Sequence, residues 1–500
     1  ALVVGERRVS YAELDELAGR MANVLRLSGV ERGDRVVILA DSSVLAVSAI
    51  FASLKVGAVF SPINPSTKAD KLAYVLNNCR AKAVITPAGL LPVASDAIDR
   101  AASVVATLVD DLPPGAAVKG GLSLREAMPA APPDDLANAG IDIDLAMLIY
   151  TSGSTGFPKG VMMTHQNVVA AAISITTYVE NTGDDIILSA LPLSFDYGLY
   201  QVLMAAKVGA TVVLEKSFAY PAAVLQKMRR EQATGFPLVP TMAALLLRMK
   251  ELEPGSFPHL RYITNTAAAL PPAHIARLQE LFPTTRIYSM YGLTECKRCT
   301  YLPPEQLATR PGSVGKAIPN TEVYLVNDRG ERVGPGETGE LVIRGGHVMK
   351  GYWEDPEATD RALRPSDNPW EKVLYSGDLF RTDQEGYLYF VGRKDDIIKS
   401  RGEKVSPKEI ENTLYALHGV REAAVIGVPD PILGMAIKAV IAPTEPGALT
   451  ERDVLAHCAR HLEDFMVPKA VEFVSELPKT DSGKIRRSQV QAEALGGHGH

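Results

Sequence analysis

The sequence predicts an α/β protein in which helices cover parallel sheets, followed by a β-rich region and a small separate α/β unit. Three observations carry this. Up to about Pro311, apolar segments of helical period alternate with short apolar runs of strand type, the order that lays parallel strands under helices. Beyond Pro311 the alternation gives way to short strands divided by Gly/Pro turns such as VGPGETG, a β-rich texture. After Gly392 comes the charged segment GRKDDIIKSRGEKVSPKEIE, and the remainder of the chain has the size of one small domain, about a hundred residues. The boundary is placed between 391 and 392, giving a large domain over 1–391 and a small one over 392–500.

Taken in order, Ser10 and Glu13 form a capping box that opens a helix with Leu14, Leu17, Ala18, Met21 and Leu25 on one face. Gly29 and Gly33 end it, and Val36 to Leu39 reads as a buried strand. The most apolar stretch, VLAVSAIFASLKVGAVF from Val44 to Phe60, is too short for a membrane span and carries Lys55. It is read as a buried helix running into a strand. Ala83 to Ile85, Thr211 to Leu214 and Arg261 to Thr264 continue the alternation. Glu322 to Val326 and Glu340 to Ile343 belong to the β-rich region. In the last unit, Pro407 to Leu417 reads as a helix and Glu422 to Val428 as a strand. No internal repeat appears.

Length allows roughly two to four domains. At 46% hydrophobic and 22% charged residues the composition is that of an ordinary globular protein. A net charge of −6 leaves no electrostatic footprint for nucleic acid. The first residues, ALVVGERRVSYAELD, lack the pattern of a signal peptide, so a cytoplasmic location is expected. Four cysteines do not make a disulfide framework. Cys296 and Cys299 form a C-x-x-C, but zinc would need two more ligands and Cys79 and Cys458 are isolated in sequence, so packing or pocket lining is expected of the pair.

The stretch from Tyr150 to His165, YTSGSTGFPKGVMMTH, is rich in glycine and hydroxyls and holds a lysine. It is not a Walker loop, because Lys159 does not directly follow the last glycine of that pattern and is itself followed by Gly160 instead of a hydroxyl. It can still bind phosphate: Thr151, Ser152, Ser154 and Thr155 offer hydroxyls, Gly153 and Gly156 free the backbone to turn its amides around an anion, and Lys159 adds charge. Leu145 to Tyr150 is a strand-type run, so the loop is expected at a strand end, where open α/β sheets place ligands.

Three later stretches carry chemistry. YGLTEC offers the Tyr291 ring for a base, the Thr294 hydroxyl, and the Glu295 carboxylate for magnesium. YSGD places Asp378 after a glycine, fit to accept two ribose hydroxyls. PKTDSGKIRR carries Lys484 after a tight turn. Each alone reads as a solvated side chain. Their order does not: TSGSTGFPKG, YGLTE, YSGD, GRKDDIIKSRGEK and PKTDSGK resemble, over essentially the whole chain, the adenylate-forming superfamily of acyl-CoA synthetases, amino-acid adenylation domains and luciferases.

The resemblance implies a large N-terminal domain of two parallel-sheet αβα subdomains plus a β-barrel-like subdomain, and a small mobile C-terminal domain. It implies that Thr151, Ser152, Gly153, Ser154, Thr155, Gly156 and Lys159 hold the phosphates of ATP and that Glu295 holds magnesium. Tyr291, with Gly292 and Thr294 beside it, would lie against adenine, Asp378 and Arg393 would hold the ribose, and Lys484 would bridge ribose and the carboxylate being activated. Asp395 would be a hinge, and Lys399 and Gly402 would face the site in a second domain orientation used for thiol attack. The segment TNTAAAL departs from relatives with paired glycines under the adenine, leaving Ala267 and Ala268 there. A helical lead-in usual in the family before Leu2 is missing, which reads as trimming.

The substrate segment is LPLSFDYGLYQ, Leu191 to Gln201. Phe195 is expected at the gate, with Tyr197, Tyr200, Met290 and Cys299 lining a modest, partly apolar pocket. Asp196 stands where amino-acid enzymes of the family meet the substrate ammonium, and a carboxylate in such a pocket demands a cation. An amino acid, proline-like among others, is therefore expected as substrate, with an amine-free carboxylic acid as the alternative. The thiol would be coenzyme A or the phosphopantetheine of a carrier protein. A binding module without catalysis is disfavoured by the presence of Lys159, Glu295, Asp378 and Lys484 together, and a luciferase-like oxidase is separated by a thiol-dependent product.

Overall fold

The computed structural model describes the chain except residues 134–135, 137–139, 153–157, 250–251, 267–269, 395, 401–402, 431–433, 463–465, 481–482 and 497–500. The predicted alternation becomes two parallel sheets. In the first, Gly121–Ser123, Ala106–Val109, Ala81–Thr86, Arg35–Leu39, Val59–Ile63 and Leu145–Ser152 lie side by side in parallel. Pro158–Thr164 and Gly351–Tyr352 then extend it antiparallel. In the second, Leu2–Val4, Thr211–Leu214, Ile186–Ser189, Gly235–Leu238, Tyr262–Asn265 and Arg286–Tyr291 are parallel neighbours.

The β-rich region does not form a sheet of its own. Thr300–Leu302 pairs antiparallel with the Arg286–Tyr291 edge, and the ladder continues through Ser313–Ala317, Leu388–Arg393, Lys372–Thr382, Thr338–Gly345 and Thr321–Val326. Because Leu388–Arg393 is a strand of this ladder, with Arg393 opposite Asp378, the large body runs past the expected boundary at 391. Beyond it, Ile398–Ser400, Glu403–Val405, Val420–Asp430, Gly434–Pro443 and Ala470–Phe473 form a separate sheet. Its apolar cores contain no side chain from before Ile398, as a body that moves as a unit requires. The two bodies touch where the His274 ring meets the edge of Tyr415, 5.6 Å between centroids.

Local chemistry accounts for the element ends. Ser10 caps the helix Tyr11–Leu27 by accepting from the Glu13 N–H at 3.1 Å. The Glu13 carboxylate accepts from Arg7 at 3.1 Å instead of closing the capping box. The apolar run from Val44 becomes the helix Val44–Lys55 and the strand Val59–Ile63, joined at Gly57 with φ +76°. Lys55 sits in it at the cost of a partner, Asp15 at 2.9 Å. No helix among the described residues is long and apolar enough to cross a membrane.

Candidate active site

The strands on either side of the glycine- and hydroxyl-rich segment, Leu145–Ser152 and Pro158–Thr164, pair antiparallel, with Thr151 opposite Lys159, so Thr151 and Lys159 are strand residues. Gly153, Ser154, Thr155 and Gly156 lie outside the described residues, and of Ser152 only the backbone is described. Lys159 is held from the other side: its ammonium is 3.4 Å from Asp355 and 5.4 Å from the centre of the Tyr352 ring. Asp355 caps the helix Pro356–Ala362 by accepting from the Ala358 N–H, which with Lys159 keeps its carboxyl below the usual range.

Tyr352 joins this lysine to the expected metal carboxylate, its hydroxyl donating to Glu295 at 2.7 Å. Glu295 is set by a tight loop after the strand Arg286–Tyr291. A Cβ on Gly292 would stand 1.7 Å from the Lys297 carbonyl oxygen, so only glycine permits the chain to fold back there. Lys297 itself takes φ +66° and donates to the Thr294 carbonyl at 2.9 Å. Cys296 and Cys299 are free, buried thiols behind this loop. The Cys299 sulfur lies 3.7 Å from the Tyr291 carbonyl oxygen, which makes the pair part of the loop's packing, and no metal-holding group of three or more His, Cys, Asp or Glu occurs among the described residues.

Asp378 is buried and Arg393 stands opposite it on the neighbouring strand, Nε to Oδ1 3.2 Å. The Tyr291 hydroxyl donates to Oδ2 at 2.5 Å, and the Tyr291 ring packs edge-on against Phe380 at 4.8 Å. Burial raises the Asp378 pKa despite the pull of Arg393 and that hydroxyl. Its Oδ1 has no aligned hydrogen-bond donor and keeps acceptor capacity for a ligand hydroxyl.

Lys484 belongs to the small body and is felt electrostatically by the same carboxylates. Its side chain is open to solvent, yet enough protein surrounds it that desolvation lowers its pKa, against the pull of Asp196 first, then Asp378 and Glu295. The preceding Gly483, φ +79°, lies on Thr241 of the helix Pro240–Leu247, where a Cβ would be 2.8 Å from the threonine Oγ1. The glycine therefore lets the hairpin that carries Lys484 come down close on the large body. Asp395 and Gly402 lie outside the described residues. Lys399 is in the strand Ile398–Ser400, its side chain not described.

At the other end of the cleft, Phe195 precedes the helix Asp196–Val208, its ring edge-on to Tyr197 at 6.2 Å. The Tyr197 hydroxyl donates to the Thr264 carbonyl at 2.7 Å, and Met290 takes the Tyr178 hydroxyl on its sulfur at 2.8 Å. Asp196 is buried at the first position of its helix, after the N-cap Phe195. It is the foremost carboxylate opposing the loss of charge from the buried Lys297, and it acts likewise on Lys484. Sequence reasoning missed Lys297, Arg298, Tyr352 and Asp355. The signal for the first two was two cations between cysteines in ECKRC, directly after Glu295. For the last pair no motif pointed to the site.

The model of the AMP-binding enzyme family matches residues 1–353, and that of the AMP-binding enzyme C-terminal domain matches 409–484. A feruloyl-CoA synthase of Amycolatopsis sp is 36% identical over 97% of this chain and 94% of its own. The crystal structure of ATP-bound MatB from Rhodopseudomonas palustris superposes with a TM-score of 0.89 at 30% identity, covering 99% of this chain and 95% of that one. The anthranilate CoA ligase AuaEII in complex with anthranoyl-AMP gives 0.91 at 29% identity over 99% and 94%. With these likenesses spanning both bodies, the chain belongs to the AMP-binding enzyme family and is an AMP-forming acid–thiol ligase.

Proposed function

We propose that this ligase joins an amine-free carboxylic acid of modest size to coenzyme A through an acyl-adenylate. The observation that carries the reading is the linked set of side chains from Lys159 through Tyr352 to Glu295, together with the Tyr291–Asp378–Arg393 cluster. In the first step a carboxylate oxygen attacks the α-phosphorus of ATP and pyrophosphate leaves. Two anions must meet, so the step depends on charges placed before the reaction begins. Thr151 and Lys159 hold phosphate oxygens, Asp378 with Arg393 fixes the ribose, and Lys484 neutralises both the carboxylate and the ribose-phosphate edge. A single carboxylate with one oxygen bound by Tyr352 fits magnesium, which prefers one or two protein carboxylates together with substrate phosphates. Glu295 would hold it, and the ion supplies charge neutralisation at the phosphates. In the second step the coenzyme A sulfur attacks the acyl carbon and AMP leaves, with the small body turned about the Asp395 region so that Lys399 and Gly402 face the site.

The amino-acid reading rests on Asp196 needing a cation from the substrate. That Asp196 favours the charge of Lys297 and of Lys484 supports a cation of the protein, not a substrate amine, as its counterpart. Support for coenzyme A over a carrier protein is that the feruloyl-CoA synthase and the anthranilate CoA ligase are named for it. Acid-dependent pyrophosphate exchange over a panel of amine-free acids and amino acids, followed by thioester formation with coenzyme A or a phosphopantetheinylated carrier protein, tests this. Turnover of amine-free acids onto coenzyme A is expected; exchange confined to amino acids, or thioester formed only on the carrier, would overturn it.

A further inference from the structure

Arg298, three residues after Glu295, is 2% exposed, which makes it the largest fully buried side chain of the described residues. Its Nε and Nη1 have no hydrogen-bond acceptor. Its guanidinium stands 4.6 Å from the centre of the Tyr197 ring and 5.6 Å from that of Tyr200, the two tyrosines in the first turns of the helix that begins at Asp196. The Tyr200 hydroxyl is also buried without a partner. A buried cation without acceptors is among the most costly arrangements a chain can carry, and contacts to ring faces recover only a part of that cost. Two donors with no acceptor, a guanidinium fork and a phenol, stand in one apolar cluster of aromatic rings.

Lys484 has Asp378, Glu295 and Arg393 among its charged neighbours, together with Asp196. Asp196 also bears on Lys297 and on Tyr200. Tyr200 in turn adjoins Arg298. The helix that begins at Asp196 carries both ring partners of Arg298, so an acid lying along the substrate segment Leu191 to Gln201 meets Arg298.

We propose that the acid this enzyme activates carries a second anionic group, a carboxylate in the simplest case, and that Arg298 with the Tyr200 hydroxyl receives it. The assignment rests on the acid–thiol ligase reading above and specifies its substrate class. Each unpaired guanidinium nitrogen, Nε and Nη1, can donate a charge-assisted hydrogen bond to a carboxylate oxygen, and the phenol supplies a further donor. An apolar tail would leave these donors buried and unpaired, and an amide would meet them with one neutral oxygen in place of a charged pair, the situation in which polar sites reject an analogue.

The test compares matched pairs of acids, succinate with succinamate, glutarate with glutaramate and terephthalate with 4-carbamoylbenzoate, in pyrophosphate exchange and in coenzyme A thioester formation. The expected result is a kcat/KM for the dianion of at least one pair about a hundredfold or more above its monoamide. Arg298→Met should abolish that preference, and Tyr200→Phe should weaken it in the same direction. Should Arg298→Met fail to fold, the wild-type preference and the concentration-dependent rise in wild-type Tm with dianion over monoamide decide the matter. Wild-type enzyme that prefers the neutral member of every pair, or an Arg298→Met variant that loses all acids alike, would overturn the assignment and leave the coenzyme A reading intact. A dianion preference in exchange with no thioester on coenzyme A would do the reverse.

Discussion

The two ends of the cleft are built on opposite principles. At the nucleotide end three charged side chains of the large body have partners in the protein: Lys159 has Asp355, Glu295 has Tyr352, and Asp378 has Arg393 and Tyr291. At the acyl end a buried arginine and a buried phenol have none. A ligand shared by a whole family can be met by groups already oriented by their neighbours, at no reorganisation cost when it arrives. A site for one particular acid keeps donors unsatisfied, so that the right molecule gains what every wrong one forgoes.

The largest effect expected at the nucleotide end is from Lys484→Ala. Losing a charge-stabilising donor of this kind costs about 3 kcal/mol or more, so pyrophosphate exchange should fall by orders of magnitude while thiolation of a supplied acyl-adenylate is spared. Equal losses in both half-reactions would break the two-orientation scheme. The wild-type alkaline limb sharpens it: because desolvation by the surrounding protein lowers the Lys484 pKa, exchange should decline below the ordinary lysine value, about 10.4. Lys484→Arg should move that limb upward, a shift readable in the pH–rate profile.

Next in size is Asp378→Asn. Removing a charged acceptor costs about 1.5–3 kcal/mol, seen as a rise in KM for ATP. Stability should move the other way. Burial raises the folded-state pKa of Asp378, so the folded protein binds this proton more tightly than the unfolded chain does. The group's contribution is most favourable below the ordinary carboxylate pKa and is lost as pH rises through the raised one. Asn removes that loss, and Tm measured above the raised pKa should be equal or higher in the variant; a clear fall would show that the ion pair with Arg393 outweighs desolvation.

Gly483→Ala should cost adenylation about tenfold, because a non-glycine residue at positive φ pays roughly 1–2 kcal/mol and its Cβ meets Thr241. Thr241→Ser, which removes only a methyl group, should not restore it, whereas Thr241→Gly should in part, as read by exchange rate in the double variants. The smallest effect is Tyr352→Phe. One hydrogen bond to Glu295 is removed, worth about 1 kcal/mol, and the KM for magnesium–ATP should rise a few-fold with little change in the ranking of acids. A changed ranking would mean that the two ends are not separable.

The sequence by itself determined the α/β alternation, the separate C-terminal unit and most of the nucleotide end. Helical and strand periods are local, and short motifs such as YGLTE and YSGD hold their functional atoms within a few residues of one another, so order along the chain already implies chemistry. It placed Asp196 at the start of a helix near the substrate, but not what faces it. Only the tertiary structure decided that Thr151 stands opposite Lys159, since that pairing depends on strand register. Only folding brought Lys297 before Asp196, across about a hundred residues of chain, and left Arg298 between two tyrosines without an acceptor. Charge pairing and its absence are properties of distance in space, and a buried side chain's partners come from whichever strands the sheet order sets beside it.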